Sequence, residues 1–117
     1  MTNRLPVYVR TLRRSHGLTQ RELAFLCGMD GGTSLSRYER SVRDPSLAAL
    51  LALSVVFGSS PATLFPGLHV EVSRMVMERA EELFARLQGN PRKVTAVKLD
   101  LLERLIDLQT RSHHSHL

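Results

Sequence analysis

Apolar residues recur at three- and four-residue intervals along most of this chain, which is the spacing of one face of an α-helix. The first such stretch predicts a helix over residues 6–16, with Pro6 in its first turn and Gly17 as a stop. Its apolar side is formed by Leu5, Val9 and Leu12. Its opposite, polar side carries Arg10, Arg13 and Arg14. We expect the apolar side to pack against the helices that follow.

The next stretch has the signals of a short helix at both of its ends. Thr19 and Glu22 have the spacing of a capping box, in which the hydroxyl accepts from a first-turn amide and the carboxylate accepts from the N–H of the cap residue. Gly28 is placed to end the helix in a left-handed conformation. The apolar stripe between these ends is Leu23, Ala24 and Cys27. The pattern therefore predicts a second helix between Thr19 and Gly28.

A third helix is predicted over residues 33–40, after a glycine-containing turn at residues 29–32. Leu35 and Tyr38 are three residues apart and are expected to point into the core. The side chains left facing outward are those of Thr33, Ser34, Ser36, Arg37 and Arg40. Small polar groups followed by arginines suit a surface that enters a groove of DNA.

Two further helices complete the first part of the chain. Pro45 and Ser46 cap a fourth helix that ends at Gly58 and is apolar on most of its sides, which predicts a central position in a small bundle. Ser60 and Pro61 then open a short fifth helix, with Leu64 and Phe65 pointing to the core. We expect residues 65–67, Phe-Pro-Gly, to break the chain after it.

The remainder predicts two longer amphipathic helices, over residues 69–88 and 92–110, joined by a turn at residues 89–91. The apolar stripe of the first helix is Val72, Val76, Ala80, Leu83 and Leu87. That of the second helix is Val94, Val97, Leu101, Leu105 and Leu108. A short connection favours an antiparallel hairpin. The stripe must be buried on the first domain or on another copy of the chain, and we favour dimerisation.

These elements predict an all-α protein in three parts. Residues 1–67 form a five-helix domain with a helix-turn-helix candidate, and residues 68–111 form a helical hairpin for dimerisation or interaction. Residues 112–117 carry three histidines and are expected to form a flexible tail. Clustered histidines at a terminus bind metal adventitiously, and no acidic or cysteine partner stands nearby, so no metal site is predicted.

The charge of the chain is concentrated at one end. The net charge is +5 over 117 residues. Up to residue 67 there are eight arginines and four acidic residues, whereas residues 68–117 are nearly balanced, with eight basic and seven acidic residues. This distribution favours a polyanionic partner for the first domain, although a solvated basic face is the alternative.

The compartment follows from what the sequence lacks. Cys27 is the only cysteine, so an intrachain disulfide or a cysteine zinc cluster is excluded, and its place on an apolar stripe predicts a buried small hydrophobe. The first residues have no apolar signal-peptide core, and the longest apolar run is too short to span a bilayer. We expect a soluble cytoplasmic protein and no membrane partner.

Taken together, the motifs resemble a known family across residues 8–66. They are similar to the phage-repressor and Cro-type helix-turn-helix domain, also called the XRE family of bacterial transcriptional regulators. The residues that carry the resemblance are Leu12-Arg13, Gly17-Leu18-Thr19-Gln20, Glu22-Leu23-Ala24, Gly28, Leu35-Ser36-Arg37, Glu39-Arg40 and Pro45-Ser46-Leu47. The resemblance does not extend to the C-terminal hairpin.

The resemblance implies a role for each matching residue. Gln20 corresponds to the family's glutamine at the start of the second helix, where amides face a phosphate. The outward positions of the recognition helix correspond to Gly32, Thr33, Ser36 and Arg37, with Ser34 on the same exposed segment. Arg37 is expected to read a guanine, because its guanidinium matches guanine O6 and N7. Arg40 and Arg43 are expected to contact phosphates.

A residue pair, a turn and a serine complete the comparison with the family. Arg13 and Glu39 match a buried structural pair that ties the first helix to the third. The turn at residues 29–32 is one residue longer than usual, so the recognition helix could start later. Ser41 stands where the family has glycine, and it is expected to adopt the same loop at a small strain cost. The small outward side chains imply that DNA shape contributes to discrimination.

The leading functional prediction is a sequence-specific DNA-binding regulator, a repressor, that binds a two-fold symmetric operator on double-stranded DNA as a homodimer. The alternative is a protein-interaction module, such as an antitoxin or an adaptor, that uses residues 68–111 to bind a protein partner. An enzyme is not expected, because the sequence has no glycine-rich phosphate loop, paired acids or cysteine–histidine arrangement. No catalytic residue and no cofactor are predicted.

Overall fold

A computed structural model describes the backbone of residues 4–114 and the side chains of residues 4–108. Every regular element in this part of the chain is helical, which confirms the all-α prediction. In chain order the helices are α1 (Val9–Ser15), α2 (Gln20–Leu26), α3 (Thr33–Glu39), α4 (Leu47–Phe57), α5 (Pro61–Leu64), α6 (Pro66–Leu87) and α7 (Lys93–His114). The chain divides into two compact units, an N-terminal unit of residues 1–71 and a C-terminal unit of residues 72–117.

Helix α1 begins at Val9, so the predicted start at residue 6 is wrong. The preceding segment bonds to the end of the N-terminal unit instead of joining the helix. The Tyr8 N–H donates to the Leu64 carbonyl at 2.9 Å, and the Pro6 carbonyl accepts from the Gly67 N–H at 3.2 Å. A Cβ at Gly67 would overlap the carbonyl oxygen of Arg4, so glycine is required for this close approach.

The predicted N-caps are confirmed in three helices. The Thr19 hydroxyl accepts from the Glu22 N–H at 3.1 Å, and the Glu22 carboxylate accepts from the Thr19 N–H at 2.8 Å. These bonds lower the pKa of Glu22 below its usual value because they favour the charged carboxylate. Ser46 caps α4, and Ser60 caps α5 in the same way.

A single cluster of buried side chains forms the core of the N-terminal unit. Its members come from all five of the helices α1 to α5 and their flanks: Val9, Leu23, Leu35, Tyr38, Ala49, Leu53, Leu64 and Phe65. The inward placement predicted for Leu35, Tyr38, Leu64 and Phe65 is therefore confirmed. Cys27 packs beside this cluster but is half-buried, and burial raises the pKa of its thiol.

Helix α4 is not enclosed, so its predicted central position is wrong. It buries Ala49 and Leu53 on one side. The opposite side leaves Leu47, Leu51 and Val55 exposed, with 82% of Val55 accessible. The helix is apolar all round, but α5 and the core cover only the first of these sides.

Helices α2 and α3 end in the same backbone motif. In α2 the Met29 N–H donates to the Ala24 carbonyl at 2.8 Å, and Gly28 between them has a φ of +72°. In α3 the Val42 N–H donates to the Arg37 carbonyl at 2.9 Å, and Ser41 has a φ of +60°. Both are Schellman ends, in which one left-handed residue lets later amides reach the last carbonyls. Ser41 thus takes the conformation expected of the family's glycine, and α3 begins at Thr33 despite the longer turn.

The helices of the C-terminal region are longer than predicted. Helix α6 begins at Pro66, so the break predicted at residues 65–67 is limited to Phe65 between α5 and α6, because proline is accommodated in the first turn of a helix. Helix α7 runs to His114, which places residues 112–114 of the predicted tail inside a helix. The rest of that tail, residues 115–117, lies outside the described residues.

The buried side of the C-terminal unit differs from the predicted stripes. Ala80 of the predicted stripe is buried, whereas the buried Thr95 and Leu102 were not predicted as core residues. The other stripe residues are half-buried or exposed. On α7, Thr95 and Leu102 each directly follow a stripe residue, so the buried side of that helix lies about a quarter of a turn from the stripe. We call the exposed apolar residues of this unit the outer apolar face; they are Val72, Met75, Val76, Leu83, Val94, Val97, Leu101 and Leu108.

The left-handed backbone of Ser41 predicts a stabilising substitution. Ser41→Gly is expected to raise the free energy of unfolding by about 0.5–1 kcal/mol, because glycine adopts a positive φ without the Cβ clash. The matched control is Gly28→Ser, which places serine at the equivalent position of α2, where a Cβ meets only open space. It is expected to lower stability by about 1 kcal/mol. Urea unfolding measures both, and a Ser41→Gly variant no more stable than the parent would contradict the strain at Ser41.

Candidate nucleic-acid interface

One buried carboxylate joins the first three helices. Glu39 Oε2 accepts from Arg13 Nε at 2.7 Å, and its Oε1 accepts from Arg13 Nη2 at 3.2 Å. Gln20 Nε2 also donates to Glu39 Oε1, at 3.0 Å. A third arginine nitrogen, Nη1, donates to the Leu18 carbonyl at 2.9 Å. The predicted Arg13–Glu39 pair is thus confirmed, and it is fully desolvated on the carboxylate side.

This network determines which side of α3 faces water. Glu39 lies on the inner side of the helix together with Leu35 and Tyr38, and all three are buried. At 100° per residue, the opposite side carries the exposed Thr33, Arg37 and Arg40. Ser34 and Ser36 flank that side and are half-buried.

A concavity of about 500 Å³ lies between α2 and α3. It brings together five of the predicted DNA-binding residues: Gln20, Gly32, Thr33, Ser36 and Arg40. Gly32 is the N-cap of α3, and a Cβ there would lie 3.2 Å from Gln20 Cβ. Glycine at this position therefore lets the start of α3 come close to α2, which keeps the concavity narrow at that end.

The other three predicted residues lie outside this concavity. Arg37 is exposed on the outer side of α3, and Arg43 is exposed in the loop that follows it. Ser34 is on the flank of α3 away from Ser36. The amide N–H groups of Val42 and Arg43 both point to the Arg37 carbonyl, so the loop folds back onto the end of the helix.

Gln20 is oriented differently from the family-based expectation. Its side-chain amide donates inward to Glu39, so the amide serves the buried network. Gln20 is nevertheless half-exposed and lines the concavity, and it occupies the first position of α2. A contact between Gln20 and a phosphate stays a prediction.

Sequence reasoning missed three arginines beside this site. A second concavity, of about 580 Å³, lies between α1 and the start of α2 and is lined by Arg10, Arg13, Arg14, Leu18, Thr19, Gln20 and Arg21. Arg21 lines both concavities. Arg10 and Arg14 are four residues apart on the polar side of α1, and this spacing is the signal that could have identified them.

In the part of the chain that the structure describes, most arginines of the N-terminal unit have no carboxylate as an ion-pair partner. In the N-terminal unit, Arg13 is paired with Glu39, and Arg4 is paired with Asp44 and Glu71. Among the side chains of residues 4–108, no carboxylate pairs with the remaining arginines of this unit, which are Arg10, Arg14, Arg21, Arg37, Arg40 and Arg43. All six are exposed. Unpaired guanidinium groups around a protruding helix produce a positive potential that attracts phosphates.

Over residues 4–108, histidine, cysteine and acidic side chains do not gather into a group of three that could hold a metal ion. No described helix combines the length and the apolar character needed to cross a bilayer.

The comparison with protein families agrees with this geometry. Residues 9–64 match the model of the helix-turn-helix family. This part of the chain is therefore a helix-turn-helix domain, and the match supports its resemblance to the phage-repressor and Cro-type regulators of the XRE family. No curated protein and no solved structure matches the chain. The family match ends before α6, so it carries no information on the C-terminal unit.

The buried network predicts that removing the charge of Glu39 lowers the free energy of unfolding strongly. Glu39→Gln keeps the shape of the side chain but leaves the Arg13 guanidinium buried without a counter-charge. We expect it to lower the free energy of unfolding by about 3 kcal/mol. The control is Glu82→Gln, which removes an exposed ion pair with Arg86 and is expected to cost at most about 0.5 kcal/mol. Similar losses for the two variants in urea unfolding would show that the network is not a stabilising constraint.

Proposed function

We propose that this protein is a sequence-specific transcriptional repressor that binds a two-fold symmetric DNA operator as a homodimer. The observation that carries the proposal is the exposed side of α3, with Thr33, Arg37 and Arg40, set among unpaired arginines in a helix-turn-helix domain. Helix α3 enters the major groove, which is wide enough to admit one helix. Transcription is then blocked where the bound protein covers promoter DNA.

The side chains have different roles in this complex. Arg37 reads a guanine through O6 and N7, because its guanidinium presents two parallel donors. Thr33 and Ser36 make short-range contacts to bases or sugars beside it. Arg40 and Arg43 bind phosphates and position the helix without reading sequence. Ser34 lies at the edge of the contact, and Gly32 allows the backbone to approach.

Few groups on α3 can read bases, which limits direct readout. Each good bidentate contact contributes about 1–3 kcal/mol of discrimination, and Arg37 is the one outward residue suited to it within α3. The remaining specificity comes from the shape and the deformability of the DNA. Two-fold symmetry doubles the contacts, with half-sites about 34 Å apart, one turn of the duplex.

The proposal also covers where the protein acts. A regulator of this class works in the cytoplasm on the nucleoid, where double-stranded DNA is its partner. No catalytic step and no cofactor are part of the proposed activity.

A second function is favoured by one observation, the outer apolar face of the C-terminal unit. Large exposed apolar patches commonly mark protein-interaction sites. An antitoxin or an adaptor would bind an unrelated protein through this face and would use the N-terminal unit only weakly on DNA. Purification of such a partner with the chain at fixed stoichiometry would favour this alternative.

The proposal is tested by selecting bound duplexes from a random-sequence library with the purified full-length protein at near-physiological salt. We expect enrichment of one palindromic motif whose half-sites are separated by about one helical turn. If a folded protein enriches no sequence, that result would contradict the proposed function and would favour the alternative, a protein-interaction module.

The selected duplex then separates the roles of two arginines. Arg37→Ala is expected to cost about 1–3 kcal/mol of binding free energy and to relax specificity at one position of each half-site. Arg43→Ala is expected to weaken binding to cognate and random duplexes alike and to reduce the salt slope by about one. Arg74→Ala, an exposed residue of the C-terminal unit, is the control. Equal losses on cognate and random DNA for the Arg37 and Arg43 variants would contradict the assigned base contact.

A further inference from the structure

The outer apolar face is the largest group of exposed apolar side chains in the C-terminal unit. Its eight members are between 38% and 70% accessible in the single chain. All seven valines and leucines of this set belong to the predicted helical stripes, so they are not scattered surface residues. An apolar face of this extent is unfavourable in water and points to a protein surface that covers it.

The position of this face on each helix follows from the helical rotation per residue. On α7, the exposed Leu101 directly precedes the buried Leu102, and the exposed Val94 directly precedes the buried Thr95. On α6, the exposed Val76 lies four residues before the buried Ala80, which is a smaller rotation in the same sense. In the antiparallel hairpin predicted from the sequence, the buried residues of α6 and α7 face each other. Rotation in the same sense about the two helix axes then places both exposed sides on one side of the pair. The outer apolar face is therefore continuous across both helices.

We propose that the outer apolar face is the homodimer interface, and that two copies of the chain pack through it as a four-helix bundle. This inference deepens the proposed function, because it names the surface that makes the repressor a dimer. A two-fold axis brings the same patch of each copy together, so an apolar face is complementary to itself. The bundle encloses in its core the side chains that are exposed in one chain.

The area of the face agrees with a second copy as the occupant. At about 80 Å² for each exposed side chain, the face offers roughly 650 Å² per protomer, close to the value of about 800 Å² per partner in standard interfaces. The exposed side of α4 is a competing surface with fewer large apolar residues, Leu47, Leu51 and Val55. Its summed exposure is about half that of the outer apolar face.

Four basic residues lie within or beside the face. Arg79 and Arg86 are seven residues apart on α6, and Lys98 and Arg104 are on α7 beside Val97 and Leu101. Arg86 and Arg104 form ion pairs with Glu82 and Asp100 on their own helices. The long aliphatic stems of these basic residues can cover apolar surface while the charged ends reach the rim of the bundle. Their presence is compatible with a helical interface, whose rim is polar.

The test is sedimentation of the full-length protein without DNA, across a range of concentrations. We expect the wild-type protein to be a dimer at micromolar concentration. Leu101→Glu and Val97→Glu are each expected to raise the dimer dissociation constant by about 100-fold or more, because each buries an unpaired carboxylate on both sides of the two-fold axis. The matched control is Ala96→Glu, which adds the same charge at an exposed site of α7 outside the face and is expected to change the constant by less than about 3-fold.

Several outcomes would overturn this inference. The first is a wild-type protein that is still monomeric at about 100 μM, because a stable specific dimer needs a dissociation constant near the micromolar range or below. The second is a dimer that persists in both glutamate variants. Dissociation by Leu51→Glu on α4, with or without dissociation by Leu101→Glu, would also contradict it. Circular dichroism checks that the variants stay helical, and Val97, 70% exposed, is the substitution least able to disturb the single chain.

Failure of this inference and failure of the proposed function are distinguishable. Sedimentation uses no DNA, so a wild-type dimer dissociated by Leu101→Glu supports the interface even if library selection enriches no motif. Conversely, a monomer that still selects a motif would leave the DNA-binding proposal standing. If both hold, Leu101→Glu keeps its affinity for a single half-site and loses the added affinity for the full palindrome.

Discussion

The N-terminal unit depends on one buried carboxylate, that of Glu39. Burying a charge is unfavourable unless it is paired and its lone pairs are satisfied. Glu39 meets both conditions, because Arg13 occupies both of its oxygens and Gln20 adds a third bond. The three partners belong to three different helices or their boundaries. A rotation of α3 about its axis would break these bonds. The network therefore fixes the direction in which Arg37 and Arg40 point away from the core.

The direction of the exposed side of α3 therefore follows from the contacts that its inner side makes. A seven-residue helix has little stability of its own and depends on its ends and its packing. Gly32 at its start lets it approach α2, and Ser41 after its end completes the Schellman motif. The family match over residues 9–64 covers these features together. Unpaired arginines on the same surface then supply the attraction for phosphates.

Local signals in the sequence predicted most of this unit, and nonlocal contacts account for the differences. Capping by Thr19 and Ser46 involves neighbours in the chain, so it could be predicted from spacing alone. The start of α1 could not, because it depends on bonds from the 4–8 segment to Leu64 and Gly67. Arg21 was missed for the same reason: its place between two concavities requires the packing of α1, α2 and α3. In the C-terminal unit, periodicity predicted the helices and the inward Ala80, but on α7 the buried side is formed by Thr95 and Leu102, which lie outside the predicted stripe.

The most direct test of DNA reading by α3 is methylation protection on a selected duplex. Dimethyl sulfate modifies guanine N7 in the major groove and adenine N3 in the minor groove, the two edges that distinguish the modes of binding. We expect the wild-type protein to protect a guanine N7 in each half-site, and Arg37→Ala to restore reactivity at that guanine alone. Protection confined to adenine N3, or guanine protection unchanged by Arg37→Ala, would contradict major-groove reading by α3.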